Sequence, residues 1–149
     1  MLIRPVREGD RAVLKMIADE ILKPLYGDQA KAFNEWMTGS GFKHAFVAVE
    51  DDIVVGFLSL KANPDRQYLK ISTLLVLPKF KGKGFGRALL EKAECFAREH
   101  SLNSLIVTVS EIKTESISFF EKHGFIVIAE RIGKYLEGVK EFILRKELS

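Results

Sequence analysis

The chain has 149 residues, 47% of them hydrophobic and 29% charged, with a formal net charge of +3. That size fits one globular domain over residues 1–149, and so small and dispersed a charge argues against nucleic acid as a partner. No run of about 18 apolar residues exists to span a membrane, and a lone Cys95 excludes an internal disulfide framework, so a cytoplasmic protein is expected.

In chain order, residues 2 to 6 read as a strand, after a start with no apolar run long enough for a signal peptide. A helix is predicted from about Glu8 to Leu22, opened by Gly9 and Asp10 and ended by Lys23-Pro24. A second helix covers roughly Asp28 to Thr38, with Phe33, Trp36 and Met37 spaced as an apolar stripe. Residues 44 to 50 and 53 to 62 form a hairpin around Glu50-Asp51-Asp52, and Asn63-Pro64-Asp65 turns the chain into a strand from about Gln67 to Leu77.

A glycine-rich basic loop and a helix to about His100 come next, then a buried-type strand from Leu105 to Val109. A helix from about Thr114 to His123 closes on Gly124, and strands Phe125 to Arg131 and Val139 to Lys146 finish the chain. This order predicts a mixed α/β fold with a mostly antiparallel central sheet flanked by helices.

The informative stretch runs from Leu74 to Arg87. An apolar strand ends at Pro78, and Gly82, Gly84 and Gly86 then alternate with Lys83 and Phe85, removing side chains where a ligand must approach the backbone. From Phe85 the pattern is helical, with Phe85, Leu89, Ala93, Phe96, Ala97 and His100 on one stripe. A loop of this kind delivers unpaired N–H groups at a helix N-terminus, where an anion fits. No Gly-Lys-Ser/Thr follows at P-loop spacing, and Arg87 stands where the dinucleotide fingerprint needs its last glycine.

The segment resembles the acetyl-CoA loop of the GCN5-related N-acetyltransferase (GNAT) superfamily, Arg/Gln-x-x-Gly-x-Gly/Ala behind Val-x-Pro. The match is Lys81-Gly82-Lys83-Gly84-Phe85-Gly86 behind Val76-Leu77-Pro78, with lysine in place of the usual first Arg or Gln. A second segment, Ser116 to Phe125, resembles the family's later motif and ends in Phe-Phe-Glu-Lys-His-Gly-Phe. Lys113 stands where that motif has asparagine, and Phe120 where many members carry tyrosine, a proposed acid toward the departing CoA sulfur.

The resemblance implies an N-acetyltransferase that moves an acetyl group from acetyl-CoA to a primary amine by direct attack in a ternary complex, without a metal. It places the cofactor on Leu74, Leu75, Val76, Lys81, Gly82, Lys83, Gly84, Phe85, Gly86, Arg87, Ser116, Phe119 and Phe120. The backbone N–H of Leu75 or its neighbour is the expected oxyanion contact. Tyr135, between the last two strands, is the expected replacement hydroxyl for Phe120. Glu111, Glu137 and Glu141, or a water chain reaching bulk solvent, are candidates to take the amine's proton, and no spacing chooses among them.

Tyr26, and the Phe33, Trp36 and Met37 stripe besides its core role, are candidates for an acceptor-side wall. His44, His100 and His123 are too scattered to read as metal ligands. The acceptor is a small-molecule or peptide amine, with neither nucleic acid nor membrane as partner, and a homodimer is possible by the same resemblance. A catalytically degenerate acyl-CoA-binding protein and an interaction module without catalysis are the alternatives, the first motivated by Phe120 and Lys113.

Overall fold

The alternating runs pair into one sheet in the computed structural model, which describes residues 1–149. Its strands are Leu2–Pro5 (β1), Lys43–Glu50 (β2), Ile53–Lys61 (β3), Tyr68–Val76 (β4), Ser104–Ser110 (β5), Ile126–Ile132 (β6) and Lys140–Glu147 (β7). The spatial order is β1-β2-β3-β4-β5-β7-β6. Only the β4–β5 pair is parallel, as the expected mixed, mostly antiparallel sheet requires. No helix is long and apolar enough to cross a membrane.

Strand alternation sends side chains to two faces, and each face is covered by helices. The larger apolar layer packs β-sheet residues such as Leu58, Leu69 and Leu105 against Phe85–Glu99 (α4) and Thr114–Lys122 (α5). On the opposite face, Val47 and Phe57 pack against the helices near the N-terminus, where Trp36 meets the Phe57 ring edge-on at 4.6 Å. The predicted α4 stripe needs one correction. Leu90 is buried within it, whereas His100 is exposed and stacks on Phe96 at 4.0 Å.

The first helix does not stop at Lys23-Pro24. Arg11–Met16 (α1) runs through a π-helical stretch, Ile17–Leu22, into Lys23–Tyr26 (α2), and ends at Gly27 with φ +81°. The Lys23 N–H bonds back five residues to Ala18, and this wide turn relieves the proline ring's clash with the preceding carbonyls. The next helix, Ala30–Thr38 (α3), starts two residues later than expected because Asp28 lies outside it and accepts the Ala30 N–H at 3.2 Å.

An ion pair ties β1 to this helical run. Arg4 donates both terminal nitrogens to Asp10, at 2.8 and 2.9 Å, and Asp10 also accepts the Arg7 N–H. The Arg4 guanidinium first, and then the backbone bond, hold the Asp10 carboxyl below its ordinary range against the effect of burial.

Candidate functional site

The strand registers open a wedge in the sheet. Parallel pairing of β4 with β5 runs only from Tyr68 opposite Ser104 to Ile71 opposite Val107. Beyond that point β4 stays on β3 as far as Val76, and β5 stays on β7 as far as Ser110, so the two central strands part. A cavity of about 990 Å³ lies there, bordered by Thr73, Leu74, Leu75, Val76, Thr108 and Val109. That volume suits a ligand of several tens of atoms.

Backbone parity decides which groups face the gap. Leu77 donates to the Val55 carbonyl at 2.9 Å, and alternate residues of an antiparallel pair repeat this pattern. Leu75, opposite Phe57, therefore spends its N–H and C=O on β3. Leu74 and Val76 turn theirs toward the wedge. Of the N–H groups expected at this place, Leu75's or a neighbour's, the neighbours' are the ones left free on the wedge side, because polar groups of adjacent residues point to opposite edges of a strand.

The wedge leads into the glycine loop. Gly82 and Gly84 have φ of +78° and +87°, which side-chain-bearing residues rarely adopt. Ala88 makes the first intrahelical bond of α4, to Gly84 at 3.2 Å. The N–H groups of residues 82 to 87 have no backbone acceptor, and those of residues 85 to 87 form the helix's positive end. Phe85 is buried under the loop, while Gly86 lies against the Phe119 ring of α5. The two sequence motifs thus meet in space, with half-buried Ser116 one turn from Phe119.

The loop's cations are partly paired. Lys81 and Lys113 both reach Glu115, each at 3.1 Å, and Arg87 reaches Glu91 at 3.3 Å. Lys113 first, then Lys81, hold the Glu115 carboxyl below its ordinary range. Lys83 is exposed, its ammonium 6.0 Å from the Phe80 ring centre. Phe120 is 4% exposed, packed on Phe119 and Phe125 at the cavity wall, and its ring offers no proton.

Two tyrosines stand at the other end of the cavity. Tyr26 and Tyr135 meet edge-on at 5.3 Å, and the Tyr26 hydroxyl accepts the Ser110 N–H at 3.4 Å. Burial, chiefly, pushes the Tyr26 phenol above its ordinary value. Beside them Glu141 is 1% exposed, and neither of its oxygens has a hydrogen-bond partner. Arg131, directly across β6, comes within 3.8 Å of it. Of the other carboxylates considered, Glu111 is exposed and accepts the Lys140 N–H at 2.5 Å, and Glu137 is exposed.

The chamber also holds residues that sequence reading missed. Lys43, Lys61 and Lys70 line it from three adjacent strands, with Trp36 and Glu35 of α3 facing them. Their only sequence signal was three lysines at strand ends.

A family model described as the Acetyltransferase (GNAT) family matches residues 12–125, which include the glycine loop and the whole α5 motif. The chain belongs to the GNAT family. The expected fold is borne out as well, by solved GNAT-type structures. This GNAT chain superposes on Arabidopsis thaliana NAA60, solved with a bisubstrate analogue, with TM-score 0.85, 16% identity and 99% and 98% coverage of the two chains. A putative GNAT acetyltransferase from Desulfovibrio desulfuricans gives TM-score 0.80 at 23% identity, with 99% of each chain covered.

Among curated proteins, streptothricin acetyltransferase of Streptomyces lavendulae is 35% identical over 81 residues, 54% of this chain and 43% of that protein. The tRNA uridine(34) acetyltransferase of Methanocaldococcus jannaschii is 30% identical over 132 residues, 74% of this chain and 24% of that protein. The GNAT chain thus spans less than half the length of the curated relatives it matches.

Proposed function

We propose that this protein is an N-acetyltransferase that takes an acetyl group from acetyl-CoA and passes it to a primary amine by direct attack in a ternary complex. The observation that carries this reading is the continuity of the β4–β5 wedge with the unpaired N–H groups of residues 82 to 87. One presents backbone for an extended amide-bearing arm. The other presents donors for an anion. Relatives solved with acetyl-CoA or CoA, from Bacillus anthracis and Thermoplasma acidophilum, support acetyl-CoA as the donor.

In this reading Gly82 to Arg87 hold the pyrophosphate, with Lys83 and the partly neutralised Lys81 adding positive charge. Leu74 and Val76 pair with the pantetheine arm and offer an N–H to the thioester oxygen as it gains charge. Phe119, Phe120 and Ser116 wall the slot from the α5 side.

Proton handling falls to the tyrosine end. A free amine titrates near ~10.4, so it must lose a proton before attack. Glu141 takes it: its buried carboxylate has no hydrogen-bond partner, and only Arg131, at 3.8 Å, offsets its charge. Tyr135 supplies a proton to the departing thiolate, a light duty because thiols titrate near ~8.5. A homodimer is supported by edge strand β6, where Ile126, Val127, Ile128 and Ile132 are exposed.

The test is a thiol-release screen with acetyl-CoA over a panel of amines, run beside Gly84→Asp and Tyr135→Phe. Thiol release by the wild type is expected with at least one amine. Gly84→Asp should lose CoA binding, because its carboxylate repels the pyrophosphate. CoA bound equally by wild type and Gly84→Asp would remove the cofactor site. CoA binding without thiol release across the panel would favour a degenerate acyl-CoA-binding protein. Turnover by Tyr135→Phe that matches wild type at every pH would end the role given to that hydroxyl.

A further inference from the structure

Lys43, Lys61 and Lys70 occupy directly opposed positions on β2, β3 and β4, so their side chains share one face of the sheet. Like charges so placed repel one another. Each lysine is half-buried, each lines the cavity, and none forms an ion pair. Lys43 finds only the Ser72 hydroxyl, at 2.9 Å.

The strain appears in their acidities. Burial, chiefly, pushes the Lys43 ammonium down to about 8, with Lys70, Lys61 and Lys31 adding repulsion and Glu35 opposing it. Burial also lowers Lys70, helped by Arg131, Lys61 and Lys134. The single carboxylate of Glu35 is outnumbered.

Two buried polar atoms on the same face of the sheet have no partner either. Ser59, 0% exposed, lies two residues along β3 from Lys61 on the same face, and its Oγ is unpaired. Trp36, 3% exposed and lining the cavity, leaves its Nε1 unpaired. An ammonium and an indole N–H can only donate, and a hydroxyl can donate as well. What such a set lacks is an acceptor-rich ligand with negative charge.

We propose that this row is an anion site for the acceptor, so that the amine acetylated here carries a carboxylate or phosphate seated on Lys43, Lys61 and Lys70. The inference rests on the acetyl-transfer reading and adds the chemical class of the acceptor. Leu74 lies four positions beyond Lys70, about 13 Å of strand, a span that one small molecule and the lysine stems bridge together. The same row repels polyamines and other acceptors that carry only positive charge.

The first experiment is calorimetric titration with succinate and with inorganic phosphate, with and without saturating CoA. Saturation keeps the pyrophosphate site filled. At least one anion should bind the wild type in the millimolar range or tighter, and affinity should fall at least tenfold in Lys61→Met/Lys70→Met. Lys61→Gln/Lys70→Gln, checked for native circular dichroism, guards against a fold defect. Absence of binding by both anions, or equal affinity in folded variants, overturns the proposal.

The second compares matched acceptors: β-alanine with its amide, phosphoethanolamine with ethanolamine, and spermidine. The anionic member should exceed its neutral partner at least tenfold in kcat/KM, and the double variants should erase that preference through KM. The pair with the larger ratio tells carboxylate from phosphate. A preference for the amide, ethanolamine or spermidine overturns the proposal while leaving acetyl transfer intact. Failure of every amine points instead at the acetyl-transfer reading, and the titration then still judges the lysine row.

Discussion

A Cβ placed on Gly86 would stand 3.4 Å from the Phe119 ring and 3.7 Å from Val76. That is room for one methyl group and no more. Gly86 sits in the first turn of α4, so Gly86→Ala should leave CoA affinity near wild type and stabilise the fold by about 0.5–1 kcal/mol through backbone entropy. Gly86→Val should push α5 off the loop, weaken CoA binding at least tenfold, and lower the melting temperature. Gly84 behaves differently: open space surrounds it, but φ is +87°, so Gly84→Ala should cost roughly 1–2 kcal/mol from strain alone. Thermal melts and CoA titration of the three variants check this contrast.

The glycine loop and the α5 motif were legible in the sequence because their chemistry lies in consecutive residues. Proximity of Gly86 to Phe119 followed from the family pattern, not from the residues themselves. The direction of the Leu75 N–H was not legible, since a strand's parity depends on one cross-strand bond, that of Leu77 to Val55. Pro24 was misread because local steric rules end a helix there, while a π-helical stretch carries the chain past. Lys43, Lys61 and Lys70 come together only through two registers, the second shifted by an irregularity at Ser72. Glu141 was among the candidates, but nothing in its neighbours announced that β5 and β6 would bury it.

Glu115 ties the glycine loop to α5 by holding Lys81 and Lys113 together. Glu115→Gln should free both ammonium groups for an incoming polyanion and tighten CoA binding a few-fold at low salt. At about 1 M salt, where the screening length is near 3 Å, the gain should vanish. Affinity measured across an ionic-strength series checks it, and equal affinity at all salt concentrations would remove the restraint.

Asp10 gives the fold an acid limit. Its carboxyl is held below the ordinary value in the folded state by Arg4, so the folded chain binds fewer protons there than the unfolded chain. The stabilisation is complete above the unfolded-state pKa of about 4 and is lost as pH falls through the lowered folded value. Asp10→Asn strands the Arg4 guanidinium, whose side chain is only 16% exposed, and should cost about 2–3 kcal/mol at neutral pH. Denaturant melts between pH 2 and 7, on the order of one per pH unit, should show a shallower acid slope for this variant than for wild type.

Lys43 has the opposite signature at the alkaline end. In the folded chain it releases its proton near pH 8, while the ordinary lysine value is 10.5. Between those values the unfolded state binds more protons, so this group makes stability rise with pH over that window and opposes folding below it. Lys43→Met keeps the apolar stem and removes the charge. It should raise stability at pH 7 and flatten the rise between pH 8 and 10.5. Denaturant midpoints at pH 7 and pH 10 for wild type and variant check the sign. A wild-type midpoint that falls over this interval by as much as the variant's would mean that Lys43 keeps its proton, and with it an ordinary solvated environment.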